Sequence, residues 1–179
     1  GRVGEWLAMT GQTLEAGDAV AWGLADGCID SGRLNVLWAE LESTPFQSAN
    51  AVEHLVSTKL IAPSQMHKSA KAQIDEYFSL DTVPAILAAL ERSTTAFAAE
   101  TAAVLRQRSP LMLHVVLEQV RRARKMGLAD DLRMERDMVR HCFHAVHLGR
   151  SGASSETVEG IRALAVDKDH APRWHPACV

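Results

Sequence analysis

This sequence predicts a mainly helical protein with at most one or two short strands, on three observations. Apolar residues recur at spacings of three and four through most of the 179 residues. The breaks between those runs carry helix-end chemistry, with Ser, Thr or Asp ahead of a run and Gly or Pro at the stops. Only Ala25–Ile29, in "LADGCID", reads as a strand, and a lone strand makes no sheet.

Residues 3–9 and 15–22 read as two short helices. Thr10-Gly11 ends the first, and Gly23 suits the left-handed residue that stops the second. After the short strand, Ser31 is the expected cap of a helix carrying Leu34, Leu37, Trp38 and Leu41 on one face. Residues 48–57 are predicted helical, "STKLIAPSQ" is a loop around Pro63, and a short helix covers 69–78. Asp81 is the expected cap of a helix over 82–92, with Val83, Ile86, Leu87 and Leu90 on one side. The alanine-rich "TTAFAAETAAVLRQR" favours helix by propensity.

Ser109-Pro110 starts the next helix, with proline at the first position, where its missing N–H costs nothing. That helix buries Leu113, Val116, Leu117 and Val120 and stops at Gly127. A helix over 129–147 is expected to turn Leu132, Met138, Val139, Cys142, Phe143 and Val146 inward. "GRSGASSE" is a flexible loop. The last helix starts near Ser155 and holds Val158, Ile161, Ala165 and Val166.

Composition bounds the function. Apolar residues at 47% and charged residues at 23% are ordinary for a globular protein. A net charge of −3 speaks against nucleic-acid binding, which needs a basic surface to displace counterions. No apolar run approaches the ~18 residues of a membrane span, and no secretory leader is seen. Three cysteines, Cys28, Cys142 and Cys178, are an odd number without recurring spacing, which fits a reducing compartment. The expected location is cytoplasmic, or the mitochondrial matrix in a eukaryote. The chain opens on Gly1, and "GRVGEWLAMTG" reads as the middle of a longer protein. Trp6, Leu7 and Met9 would then need a partner surface, so self-association through that edge is expected.

Three clusters could carry chemistry. His141, His144 and His147 in "HCFHAVH" step by three along a helix, which spreads them over about 120° and leaves a metal able to meet two but hardly three. No metal site is expected there; partly wetted histidines at the edge of an apolar stripe are. Arg121–Lys125, "RRARK", could hold a phosphate, but cations at a helix C-terminus are favoured by its dipole and normally face water. Lys168 in "DKD" could reach a phosphate as a point charge; against this, it follows a helix end whose free carbonyls attract a cation. Cys142 lies on an apolar face and reads as core. No Gly-rich phosphate cradle, nucleophile elbow or paired carboxylates are present.

Two stretches carry a family resemblance. Leu7-Ala8-Met9-Thr10-Gly11, then Asp18-Ala19 and Gly23-Leu24-Ala25, resemble a segment of the crotonase superfamily. Glu159-Gly160-Ile161-Arg162-Ala163, Asp167-Lys168-Asp169, Pro172-Arg173-Trp174 and Pro176 look like the ending of its 3-hydroxyisobutyryl-CoA hydrolase branch. "SPLMLHVVLEQ" and "RMERDM" sit where that branch has its Ser-Pro helix and a Met-Glu. The branch's Asp-Phe pair before Glu-Gly is missing from "SGASSETVEG", which implies a differently shaped loop near the substrate entrance.

The resemblance implies the helical C-terminal portion of a crotonase-like α/β fold. Residues 1–30 would end the core and 31–179 would form the C-terminal helical lobe. It implies part of a thioester hydrolase acting on a short branched acyl-CoA in valine breakdown. An enoyl-CoA hydratase or isomerase, or a non-catalytic helical interaction domain, are the alternatives. The family's oxyanion donors and acids would belong to an N-terminal core, the lobe's implied partner, so no catalytic residue is assigned here. Lys168 is the one residue the resemblance places near the CoA phosphates. No cofactor is implied, CoA being part of the substrate.

Overall fold

The computed structural model describes residues 1–63 and 68–179. Among these, helix dominates and no strand forms. The chain divides into two compact units, one of Gly1–Gln12 with Gln73–Val179 and one of Thr13–Ala72.

The first unit opens with α1 (Val3–Thr10), ended by Gly11 at φ 68, whose N–H bonds the Leu7 carbonyl. Trp6 and Met9 are 8% and 3% exposed, and Trp6 meets Phe97 with ring centroids 6.2 Å apart. The expectation that this edge lies open is corrected: α7 and α8 cover it within the chain. Glu5 is fully buried between Arg2 (2.9 Å) and Arg124 (2.5 Å). Burial pushes its carboxyl up, but the hydrogen bonds from Arg124 and Arg2 outweigh it and hold the pKa below the usual value.

After α5 (Lys68–Phe78) come α6 (Val83–Arg92) and α7 (Ala96–Gln107), which pack as a pair. Val83, Ile86, Leu87 and Leu90 are all buried, as their spacing predicts. Thr82, not Asp81, caps α6, its hydroxyl accepting from Ala85 N; Pro84 fits the first turn. α8 (Pro110–Ala123) follows, with Ser109 as cap and Pro110 first, as expected. The cations at its end do not simply face water. Arg121 donates to the carbonyls of Leu80 and Asp81, and Arg124 holds Glu5 and the Gly1 carbonyl.

α9 (Leu128–Phe143) stops short of residue 147, because His144 leaves the helical region at φ −120, ψ 73. Met138 and Cys142 are half-buried. Leu132, Val139, Phe143 and Val146, expected inward, are 56%, 56%, 46% and 78% exposed, because the described residues cover only one side of the helix. "GRSGASSE" follows one tight turn, Ala145–Leu148, and contains a second, Gly152–Ser154.

The second unit holds α2 (Ala16–Ala21), α3 (Leu34–Ser43) and α4 (Ala49–Ser57). Asp30, not Ser31, does the capping, its side chain accepting from Gly32 N to open a turn over Ser31–Arg33. The expected strand reduces to one bridge, Cys28 with Ile61, where Ile61 N donates to Cys28 O at 2.8 Å. A ladder needs a second strand, and none lies beside it among the described residues. The loop after Pro63 lies in part outside the described residues.

Candidate functional site: the terminal segment

α10 (Glu156–Ile161) begins at Ser155, whose hydroxyl accepts from Val158 N. The chain then widens into a π turn over Arg162–Val166, with Asp167 N bonding Arg162 O at 2.8 Å. A π turn rotates the residues after it relative to an α-helix. Within the turn Ala163 is buried and Val166, expected on the packed face, is 69% exposed; Ile161, also expected there, ends α10 ahead of the turn and is 48% exposed.

Beyond the turn, residues 167–179 form a strap without helix or strand. Two carboxylates of α10 hold it. Glu159 accepts a forked pair from Arg162, Nη2 at 2.8 Å and Nε at 3.0 Å, and its Oε1 also takes the backbone N–H of Arg173 at 2.6 Å. The Arg162 guanidinium, and then the Arg173 N–H, hold the Glu159 carboxyl down to about 2. Glu156 is buried and accepts from Ser109 Oγ and from the backbone N–H of His175 at 3.0 Å. Arg150 lies 3.5 Å from it.

Arg162 is the hub. Its Nη1 reaches Asp167 at 2.5 Å and Asp169 at 2.8 Å, and its Nη2 donates to the Ala171 carbonyl. That guanidinium, and then the Ala171 N–H, hold the Asp169 carboxyl below its usual range. The Trp174 indole N–H donates to the Gln107 carbonyl at 2.9 Å. Its ring passes so close to Gly160 that a Cβ there would sit 3.4 Å from Cη2.

Lys168 takes a left-handed conformation, φ 57, between the two aspartates bound to Arg162. It is exposed and has no hydrogen bond or ion pair among the described residues. The strap walls an open groove of about 900 Å³, lined among others by Ile161, Leu164, Pro172, Arg173 and Trp174. Lys168 is not in its lining. Arg106, Arg108 and Arg173 line the groove, Arg106 paired with Glu91 and Arg108 donating to the Thr10 carbonyl, and its one carboxylate, Glu156, is committed to Ser109 and the strap.

The arrangement can bind and orient; it offers no activated nucleophile. The Ser109 hydroxyl is spent, donating to Glu156 and accepting Met112 N. Cys142 shares a cavity of about 220 Å³ with Met112 and Met138, and burial pushes its thiol up, against a hydrogen bond from Thr157. His141 and His147 meet edge to face at 4.7 Å between centroids, while His144 ends α9. Among the described residues no three His, Cys, Asp or Glu are grouped to hold a metal, and no helix is long and apolar enough to cross a membrane.

Sequence reasoning missed the roles of Glu156, Glu159 and Arg162. The three-residue spacing of Glu159 and Arg162 on a helix was the available signal. The Ser109–Glu156 contact, 47 residues apart, had none.

Comparison with known proteins bears on this segment. A family model described as enoyl-CoA hydratase/isomerase matches residues 1–179. The 3-hydroxyisobutyryl-CoA hydrolase-like protein 5 of Arabidopsis thaliana is 33% identical, over 99% of this chain and 46% of its own. The mitochondrial 3-hydroxyisobutyryl-CoA hydrolase of Rattus norvegicus is 31% identical, over 99% of this chain and 45% of its own. A crystal structure of a carnitinyl-CoA dehydratase from Mycobacterium thermoresistibile matches with a TM-score of 0.75 at 31% identity, over 99% of this chain and 47% of that one. The chain thus spans about half the length of the curated relatives it matches.

Proposed function

We propose, since this chain belongs to the enoyl-CoA hydratase/isomerase family, that it is the C-terminal helical part of an acyl-CoA thioester hydrolase of the 3-hydroxyisobutyryl-CoA type. Relatives named as such hydrolases, at 31–33% identity along nearly all of the chain, support this reading over a hydratase. One structural observation supports it further. The branch-type ending from Glu159 to Trp174 folds as a single knot, with Arg162 joining Glu159, Asp167 and Asp169.

On this reading the part preceding the chain in the longer protein carries the oxyanion donors and acids. The present chain contributes the coenzyme side of the substrate site. Lys168 meets a CoA phosphate; it is exposed and has no ion pair among the described residues, which leaves its charge available. The longer protein resides where its hydrolase relatives do, the mitochondrial one of rat among them, if its host is eukaryotic.

Steady-state hydrolysis of 3-hydroxyisobutyryl-CoA by a full-length protein carrying this sequence tests the proposal, with crotonyl-CoA hydration as the competing assay. Hydrolysis is expected there, and none above background from the 179 residues alone. Lys168→Ala should raise KM at constant kcat, because a contact made equally in ground and transition states is uniform binding. Loss of one partly solvated phosphate contact, about 1–2 kcal/mol, is about a five- to thirty-fold change. Hydration without hydrolysis would overturn the hydrolase reading, and an unchanged KM would remove Lys168 from the site.

A further inference from the structure

Among the described residues the outward side of α9 has no partner. At about 100° per residue, Leu128, Leu132, Val139 and Phe143 fall within an arc of about 60°. Their exposures are 75%, 56%, 56% and 46%. The helix is apolar on its covered side as well, where Met138 and Cys142 face Met112 of α8 and Thr157 of α10 across the small cavity. The stripe is thus a second apolar face, set apart from the covered side by Asp131 and Glu135, and among the described residues only the covered side has neighbours. At 16 residues it runs about 24 Å.

Charge is laid out along this stripe with one sign on each flank. Asp131 and Glu135, the latter accepting from Gln119 of α8 at 3.3 Å, border it on one side, and Arg136, paired with Asp137 at 2.9 Å, and Arg140 border it on the other. Two such helices side by side and parallel, related by a twofold along their axes, bring the acidic flank of each against the basic flank of the other. Antiparallel pairing sets like against like. One helix therefore carries both halves of a complementary interface, as flanking charges do in parallel coiled coils.

We propose that α9 is a self-association surface that pairs in parallel with α9 of a second copy of this chain. This differs from the edge expected from Trp6 and Met9, which α7 and α8 already cover. A contact of this extent belongs at the small end of specific interfaces, below about 1,200 Å² in total, so the dimer is weak and concentration-dependent.

Sedimentation velocity of the 179-residue chain from low to high micromolar concentration tests this. A monomer–dimer equilibrium is expected, abolished by Val139→Glu with helicity unchanged by circular dichroism. Glu135→Arg alone cancels the charge of the acidic flank, sets a cation against the partner copy's basic flank, and should weaken the dimer at least five-fold. Arg136→Glu alone cancels the charge of the basic flank, sets a carboxylate against the partner copy's acidic flank, and should do the same, while the double exchange should restore affinity to within two-fold. That restoration holds the test even if Val139→Glu fails to fold. A strict monomer, a dimer indifferent to Val139→Glu, or single exchanges that the double does not rescue would each overturn the proposal. So would a longer family protein bearing this sequence that is monomeric while Val139→Cys resists thiol labelling, since the rest of that chain would then be the occupant.

Discussion

Glu159 and Arg162, one helical turn apart, form a two-point fork at 2.8 and 3.0 Å, and the same carboxylate takes the main-chain N–H of Arg173, 14 positions further along the chain. A side-chain pair that local spacing alone would allow thus becomes the anchor of a non-local strap. Glu159→Gln removes the charge that holds both partners. The amides of Arg173 and His175 should then exchange at least ten-fold faster in hydrogen–deuterium exchange, with those of α6 unchanged. Arg162→Lys should not restore protection, because an ammonium cannot make the fork or reach Ala171 at the same time. Equal protection in the wild type and both variants would show that Trp174 alone secures the strap.

The same carboxylate sets an acid limit. Its pKa falls from 4.5 to about 2 on folding. A depressed carboxylate contributes fully above its unfolded value, and that contribution is lost as pH falls from about 4.5 towards 2. Asp169, also lowered by Arg162, acts in the same sense. Strap protection should be flat from pH 7 to 5 and fall between pH 4.5 and 2. Loss already complete at pH 5 would contradict the depressed value.

Arg124→Met leaves the fully buried Glu5 with Arg2 as its only arginine partner. Breaking a buried pair from one side costs about 3–5 kcal/mol. Because Arg124 itself is 41% exposed, about 2 kcal/mol is expected in urea unfolding. Glu5→Gln should cost less than Arg124→Met, since it removes the buried charge along with the pairing.

Phe78 is fully buried and Trp38 is 62% exposed. Phe78→Ala should cost about 3–5 kcal/mol through lost burial and a residual cavity. Trp38→Ala should stay within about 0.5 kcal/mol. Thermal melts of the two variants, reversed in order, would mean that the core lies elsewhere.

Thr82→Ala should lower stability by about 1 kcal/mol and Asp81→Ala by less, because only the Thr82 hydroxyl meets the Ala85 N–H.

Sequence alone determined the helical class, most helix positions, the starts at Ser109 and Ser155, and the apolar face of α6. All of these are local: a side chain meets a backbone N–H two or three residues on, or an apolar period fits 3.6 residues per turn. The family is legible in the same way, since Glu159 to Trp174 is a linear string. What only the tertiary structure decided is which apolar side finds a partner and where charges meet. α9 and α6 show similar apolar spacing, yet Ile86 is buried and Leu132 is not, because periodicity specifies a face and not the presence of a neighbour. Trp6 looked like an open edge until α7 and α8 closed over it. The terminal knot depends on Ser109 reaching Glu156 and Gln107 reaching Trp174, contacts separated by 47 and 67 residues. Such pairings follow from the path of the whole chain, and no local propensity encodes them.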